Sequence, residues 1–323
     1  MSSIMKKFLN SFLFLSVLVL AVSCVDDDDN MNVINGPTAL DFLEESPDHT
    51  SMVAALERTQ LDFTLDQEGS LTIFAPTNQA FSTFLAANSY SSIEAVPEDL
   101  LRTILLYHVQ SDIKTTGQFN SQYFKTLAQV GNAQIDVFVE VENNTLRIND
   151  ESTVTDPDNR VSNGIVHIVD DVLDLPSIYT LISSNPNFSN LTTALDQVGL
   201  SIVLDDNDDA SAPFTLFAPS DPAFAAFIAS DPNDQFENIQ DVLDQNNFDD
   251  KLSYHVLGSQ ALRQDAFENG ATIDPLGSGT YTVNTTSGIS IIDGSGNTVN
   301  LVATNITAFN GVIHTLDFVL QQQ

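Results

Sequence analysis

Three short segments of this 323-residue chain occur twice, in the same order and at nearly the same spacing. Leu71-Thr72-Ile73-Phe74-Ala75-Pro76-Thr77-Asn78-Gln79-Ala80-Phe81 returns as Phe214-Thr215-Leu216-Phe217-Ala218-Pro219-Ser220-Asp221-Pro222-Ala223-Phe224. Leu106-Tyr107-His108-Val109 returns as Ser253-Tyr254-His255-Val256, and Asn163-Gly164-Ile165-Val166-His167 returns as Asn310-Gly311-Val312-Ile313-His314. The first pair is offset by 143 positions and the other two by 147, so the histidines of the second and third segments lie 59 residues apart in both copies. A period this long exceeds the 20–50 residues of a solenoid unit and marks a duplicated domain. Pro176, after Val172-Leu173-Asp174-Leu175, is the expected junction, giving domains at 37–175 and 176–323.

Within each copy the apolar spacing changes character along the chain. Residues 51–61 carry apolar side chains at 52, 53, 55 and 56, which predicts a helix. Leu71 to Phe74 reads as a strand ended by Pro76, after which Thr77 or Asn78 caps a helix with Phe81 and Phe84 on one face. Pro97-Glu98-Asp99 is a helix start, with proline early and acids in the first turn, and Leu100, Leu101, Ile104 and Leu105 continue it. Ile135, Val137, Val139 and Val141 then alternate, Asn143-Asn144 turns, and Leu146 and Ile148 alternate again, which is a hairpin pattern. Tyr281 and Val283, the Ser287-Gly288 turn, and Ile289 and Ile291 repeat it. Helices first and strands later predict an α+β fold rather than a doubly wound parallel sheet.

The three landmarks, in this order and found twice, resemble those of the fasciclin family across about residues 37–320. The resemblance implies two tandem domains, each a β-sandwich-like wedge packed with several helices. It also implies adhesion or surface and matrix binding rather than catalysis. In animal members an Asp-Ile pair five residues before the Asn-Gly motif is linked to integrin binding. The matching positions here are Asp158-Asn159 and Asn305-Ile306. Each keeps half of the pair, so integrin recognition is not carried over.

The N-terminus reads as a targeting segment. Lys6 and Lys7 precede an apolar run from Phe8 to Val22, shorter than the ~20 residues of a spanning helix. Leu20-Ala21-Val22-Ser23-Cys24 resembles the lipobox of bacterial lipoproteins, although Ala21 is a weaker fit than leucine. This predicts a signal peptide at 1–23, a lipidated acidic tether at 24–36, and a palmitate-bearing anchor on Cys24. Three acyl chains would hold firmly where one is marginal. Asp26 to Asp29 has two open readings: a solvated tether, and a surface-export signal of the kind seen after the lipidated cysteine in some Gram-negative lipoproteins. The expected place is the bacterial envelope, at the outer membrane and exposed on the cell surface.

Composition removes several function classes. Cys24 is the only cysteine, so an intramolecular disulfide, thiolate catalysis and cysteine-based zinc sites are all excluded. Loss of residues 1–23 would leave 8 Lys+Arg against 44 Asp+Glu, too few cations to build a nucleic-acid surface. No Gly-x-Ser-x-Gly, glycine-rich phosphate loop or HExxH is present. Asp205-Asp206-Asn207-Asp208-Asp209 lacks the order of a calcium loop and reads as a solvated insertion before the second Phe-Ala-Pro strand. No cofactor or metal is expected.

The candidate binding residues are therefore the landmark polar groups: Tyr107, His108, Asn163, Gly164 and His167, with Tyr254, His255, Asn310, Gly311 and His314. One reading gives the tyrosine–histidine pairs to a ligand. The favoured reading makes them buried polar side chains whose internal partners fix how helix and sheet dock. His49, outside the landmarks, is expected in an exposed loop. Three functions compete: a surface adhesin or ligand-binding lipoprotein contacting protein or glycan, a periplasm-facing scaffold docked on an envelope complex, and an envelope hydrolase with no motif behind it.

Overall fold

The structure is a computed structural model that describes residues 36–323 apart from Asn144, Asp208, Asp209, Pro232 and Asp234. The signal segment, Cys24 and the acidic tether lie outside the described residues, as do parts of the predicted Asn143-Asn144 turn and of the acidic insertion. Among the described residues no helix is long and apolar enough to cross a membrane.

The first repeat opens with three helices, α1 (Ala39–Glu44), α2 (Thr50–Thr59) and α3 (Asp62–Asp66). Strand β1 (Leu71–Pro76), helices α4 (Asn78–Ala87) and α5 (Glu98–Tyr107), and strands β2 (Val109–Gln110), β3 (Gln122–Val130), β4 (Ala133–Glu142), β5 (Thr145–Ile148), β6 (Ser152–Val161) and β7 (Gly164–Val169) follow. The second repeat runs α6 (Ile178–Ser183), α7 (Ser189–Val198), α8 (Leu200–Asp205), β8 (Phe214–Pro219), α9 (Asp221–Ala229), α10 (Ile239–Leu243) and α11 (Phe248–Ser253). It ends with β9 (Val256–Leu257), β10 (Thr272–Ile273), β11 (Tyr281–Asn284), β12 (Ser290–Ile292), β13 (Thr298–Ala308) and β14 (Gly311–Leu316).

Local chemistry explains these boundaries. Thr38 caps α1 in a reciprocal box with Asp41, and Ser177 does the same for α6 with Thr180. Thr77 accepts from the Ala80 N–H and starts α4, leaving Ala80, Phe81 and Phe84 facing inward. Met52, Ala55, Leu56 and Thr59 make the buried stripe of α2 at i, i+3, i+4 and i+7.

Each repeat holds one seven-stranded sheet, in the orders β2-β1-β7-β6-β5-β4-β3 and β10-β11-β12-β13-β14-β8-β9. In each sheet the described strands pair antiparallel except where the Phe-Ala-Pro strand lies parallel to the Asn-Gly strand, β1 to β7 and β8 to β14. A strand with neighbours on both edges and cover on both faces has no wet side. This is why Ile73 to Pro76 is a buried run rather than an alternation. The long β6 slips register between Val154, Asp156 and Asn159, and β13 slips between Leu301, Ala303 and Ile306. Such bulges bend a strand and sharpen its twist, so the sheet curls into a wedge with helices on it. Pro157, which cannot donate to a ladder, falls inside the β6 bulge. The α+β class is the one the periodicities predict, and the curled sheet with helices is what the family resemblance implies.

His49 departs from the sequence reading. It precedes α2 but is only 2% exposed, with Nδ1 2.8 Å from the Ser46 Oγ. It lies in the turn between α1 and α2, and nothing in the neighbouring sequence signals its burial. Asp205 is a second refinement. It ends α8 and accepts from the Ser177 hydroxyl at 2.6 Å, so it belongs to a cap rather than to a solvated loop.

Candidate functional site: the paired landmark clusters

The three landmarks of each repeat converge on one phenylalanine. The Phe74 N–H donates to the His108 carbonyl at 2.9 Å, and the Phe74 ring stacks on His167 at 5.7 Å between centroids. Phe217 repeats both contacts, with the His255 carbonyl at 2.9 Å and the His314 ring at 5.6 Å. Phe74 faces His167 and Phe217 faces His314 in the parallel registers, so the pairing of first and last landmark strands creates each stack.

Both nitrogens of each landmark histidine are occupied. His108 Nε2 accepts from the Leu173 N–H at 3.0 Å, which makes Nδ1 the donor to the Ile104 carbonyl at 2.7 Å. His255 does the same with Leu320 at 3.0 Å and Lys251 at 3.1 Å. On the strands the roles reverse. His167 Nδ1 accepts from the Asp158 N–H at 3.2 Å while Nε2–H donates to the Lys114 carbonyl at 2.9 Å. His314 pairs likewise with Asn305 at 3.4 Å and Leu262 at 2.8 Å.

Burial therefore favours the neutral ring. It pushes His108, His255 and His314 down to about 4, and lowers His167, against the pull of the backbone carbonyls they donate to. A neutral imidazole with both nitrogens engaged can neither shuttle protons nor bind a cation without first breaking a buried hydrogen bond. Among the described residues no group of three or more His, Cys, Asp or Glu side chains could hold a metal. The acids near these histidines in sequence serve the strands instead. Asp170 accepts from Ser152 and Thr153, and Asp317 accepts from the backbone and side chain of Asn300.

The tyrosines are also enclosed. Tyr107 donates to the Asp136 carbonyl at 2.9 Å and accepts from Asn149 at 2.8 Å. Tyr254 donates to the Thr280 carbonyl at 2.8 Å and accepts from the Gly294 N–H at 3.1 Å. Each thereby ties the end of a helix to a distant hairpin.

The Asn-Gly pair is a clamp. Asn163 Oδ1 accepts from the Ala39 N–H at 2.9 Å, and its Nδ2 donates to the Leu65 and Gln67 carbonyls, so one amide joins the start of α1 to the end of α3. Asn310 makes the matching bonds to Ile178, Leu204 and Asp206. Gly164 and Gly311 lie against the Leu71 and Phe214 carbonyls, where a Cβ has no room. Asp158 and Asn305, the half-kept pair of the sequence reading, both adopt left-handed backbone, at φ of 63° and 61°. Asp and Asn tolerate that region best among residues with a side chain. Their N–H groups serve the strand histidines, and their side chains accept from Thr116 N at 2.7 Å and Gln264 N at 2.8 Å.

The fasciclin-domain family model matches residues 47–176 and 186–322. The chain belongs to the fasciclin family. Among relatives, the pig transforming growth factor-beta-induced protein ig-h3 is 27% identical over 259 residues, covering 79% of this chain and 35% of that protein. A fasciclin-like arabinogalactan protein of Arthroderma benhamiae is 26% identical over 291 residues, covering 86% of this chain and 65% of its own. The chain thus spans about a third of the one and under two thirds of the other. A solved FAS1 domain pair from the insect cell adhesion molecule Fasciclin I superposes with a TM-score of 0.50 at 18% identity, covering 83% of this chain and 92% of that one. It shares the fold.

The fasciclin repeats also carry a matched pair of residues that the landmarks do not reveal. Phe63 in α3 is 68% exposed and Ile202 in α8 is 76% exposed. Leu65 and Leu204 offer carbonyls to the equivalent asparagines, which aligns α3 with α8 at an offset of 139 and makes Phe63 and Ile202 the same position. Aligning the repeats upstream of the acidic insertion would have found them. Each is an apolar residue among acids, Asp62 and Asp66 in one case and Asp205 and Asp206 in the other.

Proposed function

We propose that this protein is a non-catalytic adhesion or ligand-binding lipoprotein of a bacterial envelope, held by a lipid on Cys24 and displayed at the cell surface. The observation that carries the binding reading is the pair Phe63 and Ile202. A large apolar side chain held in water is disfavoured by folding alone, and here it recurs at one position of two diverged copies. Single exposed apolar residues are common, so the argument rests on that repetition. The acids beside both residues suit a partner with apolar hollows rimmed by basic groups, and Ile202 has no ring to stack on a sugar, which favours a protein over a glycan. The enclosed histidines speak against catalysis by the landmark groups. The fold shared with a protein described as a cell adhesion molecule is in keeping with the same reading.

Intact cells test the display. Added protease should remove the protein, and gene deletion should weaken attachment to a surface or matrix. Full protection on sealed cells, with co-purification of an envelope complex, would replace this reading with the periplasm-facing scaffold.

A further inference from the structure

The duplication supplies an internal control for a cavity in the second repeat. In the first repeat, Ile104 of α5 and Leu175 after β7 are both buried in the core. The Tyr-His offset of 147 places Lys251 of α11 and Gln322 at their positions. The equivalence is structural as well, since Leu173 and Leu320 donate to His108 and His255 in the same way. The same offset makes the six-residue α11 the counterpart of the ten-residue α5, so the helix that carries Lys251 starts three residues later than the one that carries Ile104. Polar replacement and the shorter helix together accompany a cavity of about 290 Å³ in the second repeat.

About half of its wall is apolar, with Phe224, Phe227, Val242, Phe248, Leu252 and Val319 among the lining residues, and glutamines supply much of the polar half. One cation, Lys251, lines it, its ammonium held 2.6 Å from the Gln245 Oε1, also a wall residue. Among the described residues no carboxylate pairs with Lys251 within salt-bridge distance. His255 forms part of the wall with both nitrogens engaged, so it supplies neither charge nor a free donor.

We infer that this cavity binds a small amphiphile with an apolar body and a carboxylate head, the head pairing with Lys251. A pocket that offers apolar side chains beside a few placed polar groups is the usual form of a small-molecule site. At about 30 Å³ per water-sized group, the space suits a ligand of about ten non-hydrogen atoms, such as a medium-chain acyl carboxylate. The chain's negative charge is spread over its surface and is screened within a Debye length of about 8 Å in physiological salt. Lys251, inside the cavity wall, is the charge such a head group meets there. The site is independent of Phe63 and Ile202.

Octanoate is the probe, titrated calorimetrically into the full chain in detergent-free buffer, with methyl NMR to locate it. Saturable binding is expected, shifting the Val242, Leu252 and Val319 methyls and leaving those of the first repeat unmoved. Lys251→Met, which keeps the stem, should weaken octanoate about tenfold or more. Gln322→Leu, which restores the first repeat's residue, should weaken it by filling the space. Circular dichroism establishes that both variants remain folded, and the wild-type methyl map stands without them. The inference is overturned by absence of saturation, by shifts located elsewhere, by equal affinity for 1-octanol, or by a folded Lys251→Met that binds as wild type.

Discussion

Asp136, in β4 of the first repeat, accepts a hydrogen bond from the backbone N–H of Thr307 in β13 of the second, at 2.6 Å. The same carboxylate oxygen pairs with Lys125, whose ammonium also donates to the Asn305 carbonyl at 3.1 Å. Arg263 donates to the Thr307 hydroxyl at 3.0 Å. Burial raises the Asp136 carboxyl and Lys125 opposes that shift, so a charge in a poor solvent is held by its partners. Tyr123 adds a second bridge, reaching the Leu181 carbonyl at 2.7 Å. The repeats therefore meet through specific polar contacts as well as apolar ones.

Asp136→Ala leaves the Thr307 N–H and the Lys125 ammonium without this acceptor, at a cost of about 2 kcal/mol. Urea unfolding should show that loss, and small-angle scattering should show a broader distribution of distances between the repeats. An unchanged scattering profile and midpoint would mean that the apolar contacts alone set the arrangement.

Acid should destabilise the protein through its histidines. Unfolded, each imidazole takes up a proton near its ordinary value of 6.5, whereas His108, His255 and His314 resist to about 4 when folded. Between those values the unfolded chain binds more protons. This stabilisation is complete above about pH 6.5 and is lost as pH falls toward 4. Their ring NMR signals should not titrate between pH 7 and 5, and a normal midpoint near 6.5 would contradict the buried hydrogen bonds.

Gly164→Ala forces a methyl onto the Leu71 carbonyl, and Gly311→Ala forces one onto the Phe214 carbonyl and the Ile178 side chain. Each should cost about 2–3 kcal/mol or prevent folding, since parallel pairing of the landmark strands must open. Asn163→Ala should cost a similar amount by leaving the Ala39 N–H and two carbonyls without their partner. Thermal melts of the three variants check this, and melts within a degree of wild type would rule out the clamp.

Phe63→Ser and Ile202→Ser remove exposed side chains, so stability should change by less than about 0.5 kcal/mol. Attachment of cells should fall with either change and fall further with both, because two linked contacts reinforce each other. Full attachment by the double variant would remove the observation on which the binding reading rests.

The landmarks were legible because each is a local pattern. Proline ends β1, threonine caps α4, and the hairpins of β4 with β5 and of β11 with β12 lie where alternation places them. His49 was not legible, because its burial is decided by tertiary packing and not by its own sequence context. Nor were Asn149 and Asp136, whose partners lie 42 and 171 positions away. Half of the Asp-Ile pair was visible in sequence. Its left-handed backbone and its hydrogen bond to the strand histidine were visible only in the folded bulge.

By itself, the sequence determined that the chain is a duplicated α+β domain of the fasciclin family, since periodicity, caps and repeated motifs are properties of neighbouring residues. Tertiary structure alone decided that the four landmark histidines are neutral and enclosed, that Asp136 joins the repeats, that Phe63 and Ile202 share one exposed position, and that Lys251 faces a cavity where Ile104 fills a core. Each of those outcomes depends on which distant groups exclude water from a side chain. That is settled only when the sheets and helices close on one another.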